Sequence, residues 1–191
     1  MDQSGLKTVA NPSELFVSKK QNTEPGSAIA VTLEGDRTIM IEIQALVSSA
    51  VYGTPQRISN GFNSKRLNML LAILEKKAGF KIGVKDVFIN STGGIKIEDT
   101  AIDLAVVSAI LSSNINVSVT SGTCFCAEID LSGELRSVSN IDKRISEAER
   151  LGYKKIIVSN NSKIGYTPKL IHNVKLKNLS QVVKEIFTEK D

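Results

Sequence analysis

Residues 93 to 111, GGIKIEDTAIDLAVVSAIL, place a glycine pair, a short alternating stretch, an acidic turn and the start of an apolar helix in one line. That is the layout of a catalytic entrance. A serine–lysine peptidase would hold its nucleophile about where the turn becomes the helix, yet alanine stands there, and a methyl group cannot attack a carbonyl. Other chemistries find less support. No G-x-x-x-x-G-K-[ST] motif occurs, so the chain carries no phosphate-cradling P-loop. The one histidine, His172, stands in a C-terminal loop without a cysteine or second histidine nearby and reads as a surface residue. Cys124 and Cys126 would point to the same face of one strand, a spacing that favours neither a zinc knuckle nor a structural disulfide and makes them core thiols. Asp103 is odd inside an apolar helix; it reads as a first-turn acid favoured by the helix dipole and free backbone N–H groups, the alternative being that it orients a site.

The elements that must position these residues follow from hydrophobic spacing. AIAVTLEG and RTIMIEIQALVSSAV are β-branched runs joined by the turn EGDR, an antiparallel pair. The stretch YGTPQRISNGFN reads as a loop. In SKRLNMLLAILEKKAG, Leu67, Leu70, Leu71, Leu74 and Ala78 follow the helical rule, with Ser64 as cap and Gly79 as terminator. VKDVFIN and GIKIE read as strands, and residues 101 to 113 as a helix apolar nearly all round and therefore buried. TCFCAEIDLSGELRSV is a strand, a tight turn at Ser132–Gly133 and a returning strand. Asn140 would cap the helix IDKRISEAERLG; KKIIVS and NVKLKN are strands, and LSQVVKEIFTEK a last helix. Residues 1–26 are polar and punctuated by Pro12, Pro25 and Gly26, a linker in which NPSELF could form one helical turn capped by Asn11; residues 27–191 form one α/β domain.

The composition agrees. Hydrophobic residues make up 41% of the 191, enough for one core, and with no tryptophan that core rests on Ile, Val, Leu and Ala. No run is long enough to span a bilayer and the N-terminus lacks the apolar centre of a signal peptide, so a cytoplasmic location without membrane partners is expected. The net charge of +4 is a mild basic excess whose distribution matters more than its size. Arg57, Lys65 and Arg66 gather around one loop and helix start, with no acidic residue between Val51 and Leu74, and Arg37 stands in the turn of the preceding strand pair. Guanidinium and ammonium groups beside glycine, serine and asparagine suit phosphate oxygens; the alternative is a solvated loop.

Several blocks in order, NPSELF, EGDRTIMIEIQALV, NSKRLNMLLAILEKKAGFKI, DVFINSTGGIKIEDTAIDLAVVSAILSS and AEIDLSGELRSVSNIDKRISEAERLGYKKIIV, resemble the C-terminal region of the bacterial RadA (Sms) DNA-repair family. The resemblance implies an α/β (α+β) fold like the Lon proteolytic domain, related to the ribosomal protein S5 domain 2-like fold. It implies DNA, single-stranded or branched, as a partner, with contacts from Arg37, Arg57, Lys65 and Arg66. A homo-oligomer with a hexameric ring as its limit is implied, as is a RecA-like recombinase or a separately encoded ATPase half as a further partner. ATP and zinc are expected only for an N-terminal part not present here, so this chain itself holds no cofactor and serves branch migration by an ATPase core elsewhere. Against the Lon pattern, Ala101 stands at the serine and Arg144 at the lysine; a guanidinium stays protonated and cannot accept the nucleophile's proton, so no peptidase activity is expected. Thr100 and Lys143, one residue away from each, would both need fresh positioning to replace them. The alternatives are an oligomerisation scaffold or split-gene fragment without DNA affinity, and an altered peptidase.

Overall fold

The computed structural model describes residues 16–17, 24–51 and 53–187. Of the helical turn expected at NPSELF only Phe16, in a helical position, is described; the rest of it and most of the 1–26 linker lie outside the described residues.

The β-branched runs pair as expected. β1 (Ser27–Glu34) and β2 (Arg37–Ser49) are antiparallel, with Glu34 opposite Arg37 across a two-residue turn in which Gly35 takes φ +58°. They lie inside a seven-stranded sheet, order β3-β4-β2-β1-β5-β8-β9, formed with β3 (Arg57–Asn60), β4 (Lys85–Ser91), β5 (Thr123–Cys126), β8 (Lys155–Ser159) and β9 (His172–Leu176). β2 runs antiparallel to both neighbours, β1 and β4; every other adjacent pair is parallel. The expected hairpin about Ser132–Gly133 is a separate two-stranded sheet, β6 (Glu128–Ile129) with β7 (Leu135–Arg136). The class is α/β with a mixed sheet.

Helices cover both faces unequally. α1 (Ser64–Ala78), α2 (Asp103–Ile115) and α4 (Leu179–Phe187) share one core with β2 and β4 residues such as Ile43, Val87 and Ile89. α2 is buried from Asp103 through Ser112, as its all-round apolar character requires. On the other face α3 (Ile141–Arg150) lies alone, its Ile141, Ile145 and Ala148 packed on Ile29, Val31, Met40, Cys124, Cys126, Ile156 and Val158. Both cysteines are therefore core thiols on one face of β5, and burial pushes Cys126 up to about 12.

Five local expectations are corrected. α1 is capped by Asn63, whose Oδ1 accepts the Arg66 amide at 3.0 Å, while the Ser64 hydroxyl lies 2.9 Å from that of Ser59. Asn140 holds the N-cap position of α3 at φ +54° without a side-chain cap bond. The stretch read as a loop contains β3, a short polar edge strand parallel to β4 and too brief to show a period. GIKIE joins no ladder: β4 already has β2 on one side and β3 on the other, so the chain beyond it runs past the end of the sheet. His172, finally, opens β9 rather than lying in a loop, and is exposed.

Candidate functional site

One short turn builds the region around Ala101. The Asp99 side chain caps a 3-10 turn at Thr100–Ile102, its Oδ1 accepting the Ala101 amide at 3.0 Å, and α2 follows directly. Ala101 is fully buried. Arg144, on α3, is buried too; its Nη1 donates to Asp99 Oδ2 at 2.7 Å and to the Val31 carbonyl at 2.9 Å, and its Nε donates to the Ser139 carbonyl at 2.9 Å. Asp99 Oδ2 also accepts from the Thr32 hydroxyl and the Leu33 amide, each at 3.0 Å. The two positions that the Lon pattern selects are thus brought to opposite oxygens of one carboxylate. Burial alone would raise the Asp99 carboxyl, but the hydrogen bonds from Arg144 and the Ala101 and Leu33 amides, with the charge of Arg144, outweigh it and hold the group below its ordinary range. Nothing in this arrangement supplies a nucleophile or a proton acceptor of the serine–lysine kind.

Thr100 and Lys143 are not brought together. The Thr100 hydroxyl donates to Glu128 Oε2 at 3.0 Å and opens on a cleft of about 690 Å³, whereas Lys143 lines a separate hollow of about 520 Å³ with Asn140, Asp142 and Lys163.

That larger cleft lies between the start of α1 and the segment leading to Ala101. Phe62, Met69 and Ile97 give it apolar wall, and Lys65, Arg66, Lys96, Glu98, Asp99 and Asp103 also line it. Asp103 is not merely a first-turn acid. Its carboxylate is wholly buried and takes a forked pair from Arg66, Nε to Oδ1 at 3.2 Å and Nη2 to Oδ2, together with the Ile129 amide at 3.1 Å. Arg66 Nη2 also reaches the Ile129 carbonyl at 2.7 Å. Burial is the strongest influence and pushes the Asp103 carboxyl up, against the hydrogen bond and charge of Arg66; the guanidinium is the fixed charge of the pair.

The basic residues picked from sequence therefore divide. Arg57 and Lys65 are exposed, and Arg57 Nη1 donates to Asn68 Oδ1 at 3.3 Å, one helical turn beyond Lys65. Arg66 turns inward to Asp103, leaving its side chain 20% exposed. Arg37 is elsewhere: Val47, level with Val87 and Arg57 in the sheet, stands ten residues beyond it on β2, roughly 33 Å along an extended strand. Lys96, which the sequence reading did not single out, lines the cleft and pairs with Glu98 at 2.8 Å. Its signal was the I-K-I-E alternation, which puts Lys96 and Glu98 on the outer side.

A family model described as subunit ChlI of Mg-chelatase matches residues 39–162, which include the cleft, Ala101, Asp99 and Arg144. The chain belongs to the ChlI family. Within it, the matched segment runs from early β2 to just beyond β8, so both Asp–Arg pairs fall inside the family region. Proteins named DNA repair protein RadA are also similar. The one from Streptococcus pneumoniae is 40% identical over 188 residues, 98% of this chain and 45% of that protein. The one from Bacillus subtilis is 37% identical over 185 residues, 96% of this chain and 40% of that protein. The one from Helicobacter pylori strain 26695 is 46% identical over 158 residues, 83% of this chain and 35% of that protein. The chain thus spans less than half the length of these curated relatives. Among the described residues no helix is long and apolar enough to cross a membrane.

Proposed function

We propose that this chain is a DNA-repair module of the RadA type, a Lon-like domain without peptidase activity that helps assemble a ring and hold DNA. The names of its relatives supply the process; the exposed Arg57 on β3, which reaches Asn68 of α1, and the exposed Lys65 on α1 carry the reading for this chain. Both cations are free of acidic neighbours in the sequence around them, and Lys96 extends the basic strip across the cleft mouth. Arg66 supports the strip from beneath and offers phosphate only the part of its guanidinium left outside the Asp103 pair; Arg37 is an outlying contact. On this reading the ATPase, ATP and zinc belong to the remainder of a RadA-type protein, branch migration is the work of that motor, and the setting is cytoplasmic. The Ala101 methyl and the committed Arg144 guanidinium support the absence of peptidase activity.

The test is fluorescence anisotropy with labelled single-stranded, duplex and branched DNA over a range of salt. Arg57→Ala and Lys65→Ala should each weaken binding to all sequences alike and flatten log affinity against log salt by about 0.9 on duplex DNA. Wild-type affinity and slope in the folded double variant would remove the DNA reading.

A second reading, an oligomerisation scaffold, is favoured by one observation. Beyond α3 the sheet face is open: Leu46 and Ile58, 60% and 54% exposed, flank half-buried Phe88 in register across β2, β4 and β3. The adjoining row is Gln44, Asn90 and Asn60, linked by amide hydrogen bonds of 3.3 and 3.0 Å. No lysine or arginine stands among these six residues, which suits contact between subunits better than contact with phosphate.

A further inference from the structure

The cleft beside α1 opens past the carboxyl ends of two parallel strands. Asn60, the last residue of β3, and Gly94, just beyond the end of β4, both line it. In open α/β sheets the crevice outside the carboxyl ends of the strands is where ligands settle. The two walls are tied to each other before any ligand arrives. Gly61, at φ +78°, brings its backbone so close to β4 that an added Cβ would lie 1.8 Å from Ser91 Oγ. That hydroxyl donates to the Ile95 carbonyl at 2.8 Å, and the Ile97 amide donates to the Gly61 carbonyl at 2.9 Å. A cavity of about 690 Å³ held in this way does not have to be ordered by its guest.

Charge inside the cleft is balanced. The cations Lys65, Arg66 and Lys96 and the carboxylates Glu98, Asp99 and Asp103 all line it. Arg66 is bound to Asp103, Lys96 to Glu98, and Asp99 to Arg144. A phosphate pushed inside would meet as much negative as positive charge, whereas a neutral ring meets the apolar wall of Phe62, Met69 and Ile97. Met69 is the uncovered part of that wall, 40% exposed where Phe62 and Ile97 are buried, and a thioether makes favourable contacts with aromatic rings. Phosphate is better met outside, by the exposed Lys65, one helical turn before Met69 on α1, and by Arg57 beside Asn68. We propose that the cleft takes an unstacked base of a single strand whose phosphates lie on Lys65 and Arg57. This rests on the DNA reading above and names the part of the DNA that enters. Bases of a duplex are held in the stack and cannot enter without being flipped out, so the cleft favours single strands over duplex. Because every base has a π-face, the contact carries little sequence preference.

The experiment measures fluorescence anisotropy with the full chain and fluorescein-labelled probes of about sixteen nucleotides, the upper end of single-strand site sizes. The probes are oligothymidylate, a strand of the same length whose sugars carry no base, and a duplex. Loss of the bases should weaken binding by about tenfold and leave the salt slope as it was, because the phosphates are unchanged. Met69→Ala should weaken oligothymidylate binding by about fivefold and leave the baseless strand and the duplex within about twofold. Met69→Leu, which keeps the apolar contact, should bind as the wild type does. Arg57→Ala should flatten the salt slope on all the probes. Comparison of the two single strands on the wild-type chain decides whatever the folding of the variants. Equal affinity for those strands, or an equal loss on both in Met69→Ala, would overturn the proposal and leave the DNA reading standing. Absence of salt-dependent binding to any probe would remove that reading, and this inference with it.

Discussion

Two aspartates four positions apart, Asp99 and Asp103, meet arginine in opposite circumstances. Asp99 keeps 17% of its side chain exposed and accepts four hydrogen bonds from Arg144, Thr32, Leu33 and Ala101. Asp103 is wholly buried and depends on Arg66 and one backbone amide. The same pairing of residue types leaves the first carboxyl below its ordinary pKa range and the second above it. What separates them is the ratio of donors to desolvation: an ion pair stabilises ionisation only where the remaining lone pairs are also met. Both pairs flank Ala101, which is thereby bracketed by two structural clamps.

The comparison can be broken most severely at Arg66. Arg66→Ala leaves the Asp103 charge buried without its main partner, and a loss of about 3–5 kcal/mol is expected in denaturant unfolding. Arg57→Ala, on an exposed cation, should change stability by less than about 0.5 kcal/mol. If the two variants unfold alike, the inward pair does not carry the stability assigned to it. Any fall in DNA affinity of Arg66→Ala must accordingly be measured below its unfolding transition.

Arg144→Lys tests the other clamp with charge retained. An ammonium cannot reproduce the fork that spans Asp99, Val31 and Ser139, so a loss of about 1–3 kcal/mol is expected. Combining it with Ala101→Ser should still give no cleavage of an unfolded protein substrate, because the surrounding groups are arranged for a guanidinium. Proteolysis by the purified double variant would mean that the supporting shell of a peptidase survives.

The smallest effect is the sign of a pH dependence. For Asp99, lower in the folded chain than in the unfolded one, the stabilisation is complete above its ordinary value of about 3.9 and is lost as pH falls through the folded value. For Asp103, raised on folding, the contribution is complete below that ordinary value and is lost as pH rises through the folded value. Asp99→Asn should therefore make the loss of stability between neutral pH and pH 3 shallower, and Asp103→Asn should make it steeper. Unfolding curves that shift in the same sense for both variants would show that the two environments do not differ in the way described.

The periodic elements were legible in advance. β1 and β2 followed from alternating β-branched runs, α1 from Leu67, Leu70, Leu71 and Leu74 on one stripe, and α2 from its continuous apolar character. The turn at Ala101 and the position of Arg144 were legible only through likeness to a family pattern. That likeness identified the two positions without indicating that Asp99 would join them. β3 was hidden because four residues, three of them polar, are too few to show a period, and GIKIE was misread because alternation describes a strand without saying whether a neighbour is free.

By itself, then, the sequence determined which segments extend, which coil and which faces must be buried, because those depend on residue type and spacing along one dimension. It also determined that Ala101 brings no nucleophile and Arg144 no proton acceptor, since these are properties of the side chains wherever they lie. The tertiary structure alone decided the company each charge keeps. Arg66 meets Asp103 across 37 positions and Arg144 meets Asp99 across 45, distances over which local preference has no hold. It decided as well that Arg37 stands far from Arg57 and that the segment carrying Lys96 and Glu98 lines a cleft. Sheet order set the path of that segment: once β2 and β3 had taken both sides of β4, the chain leaving β4 could not fold back to pair with it.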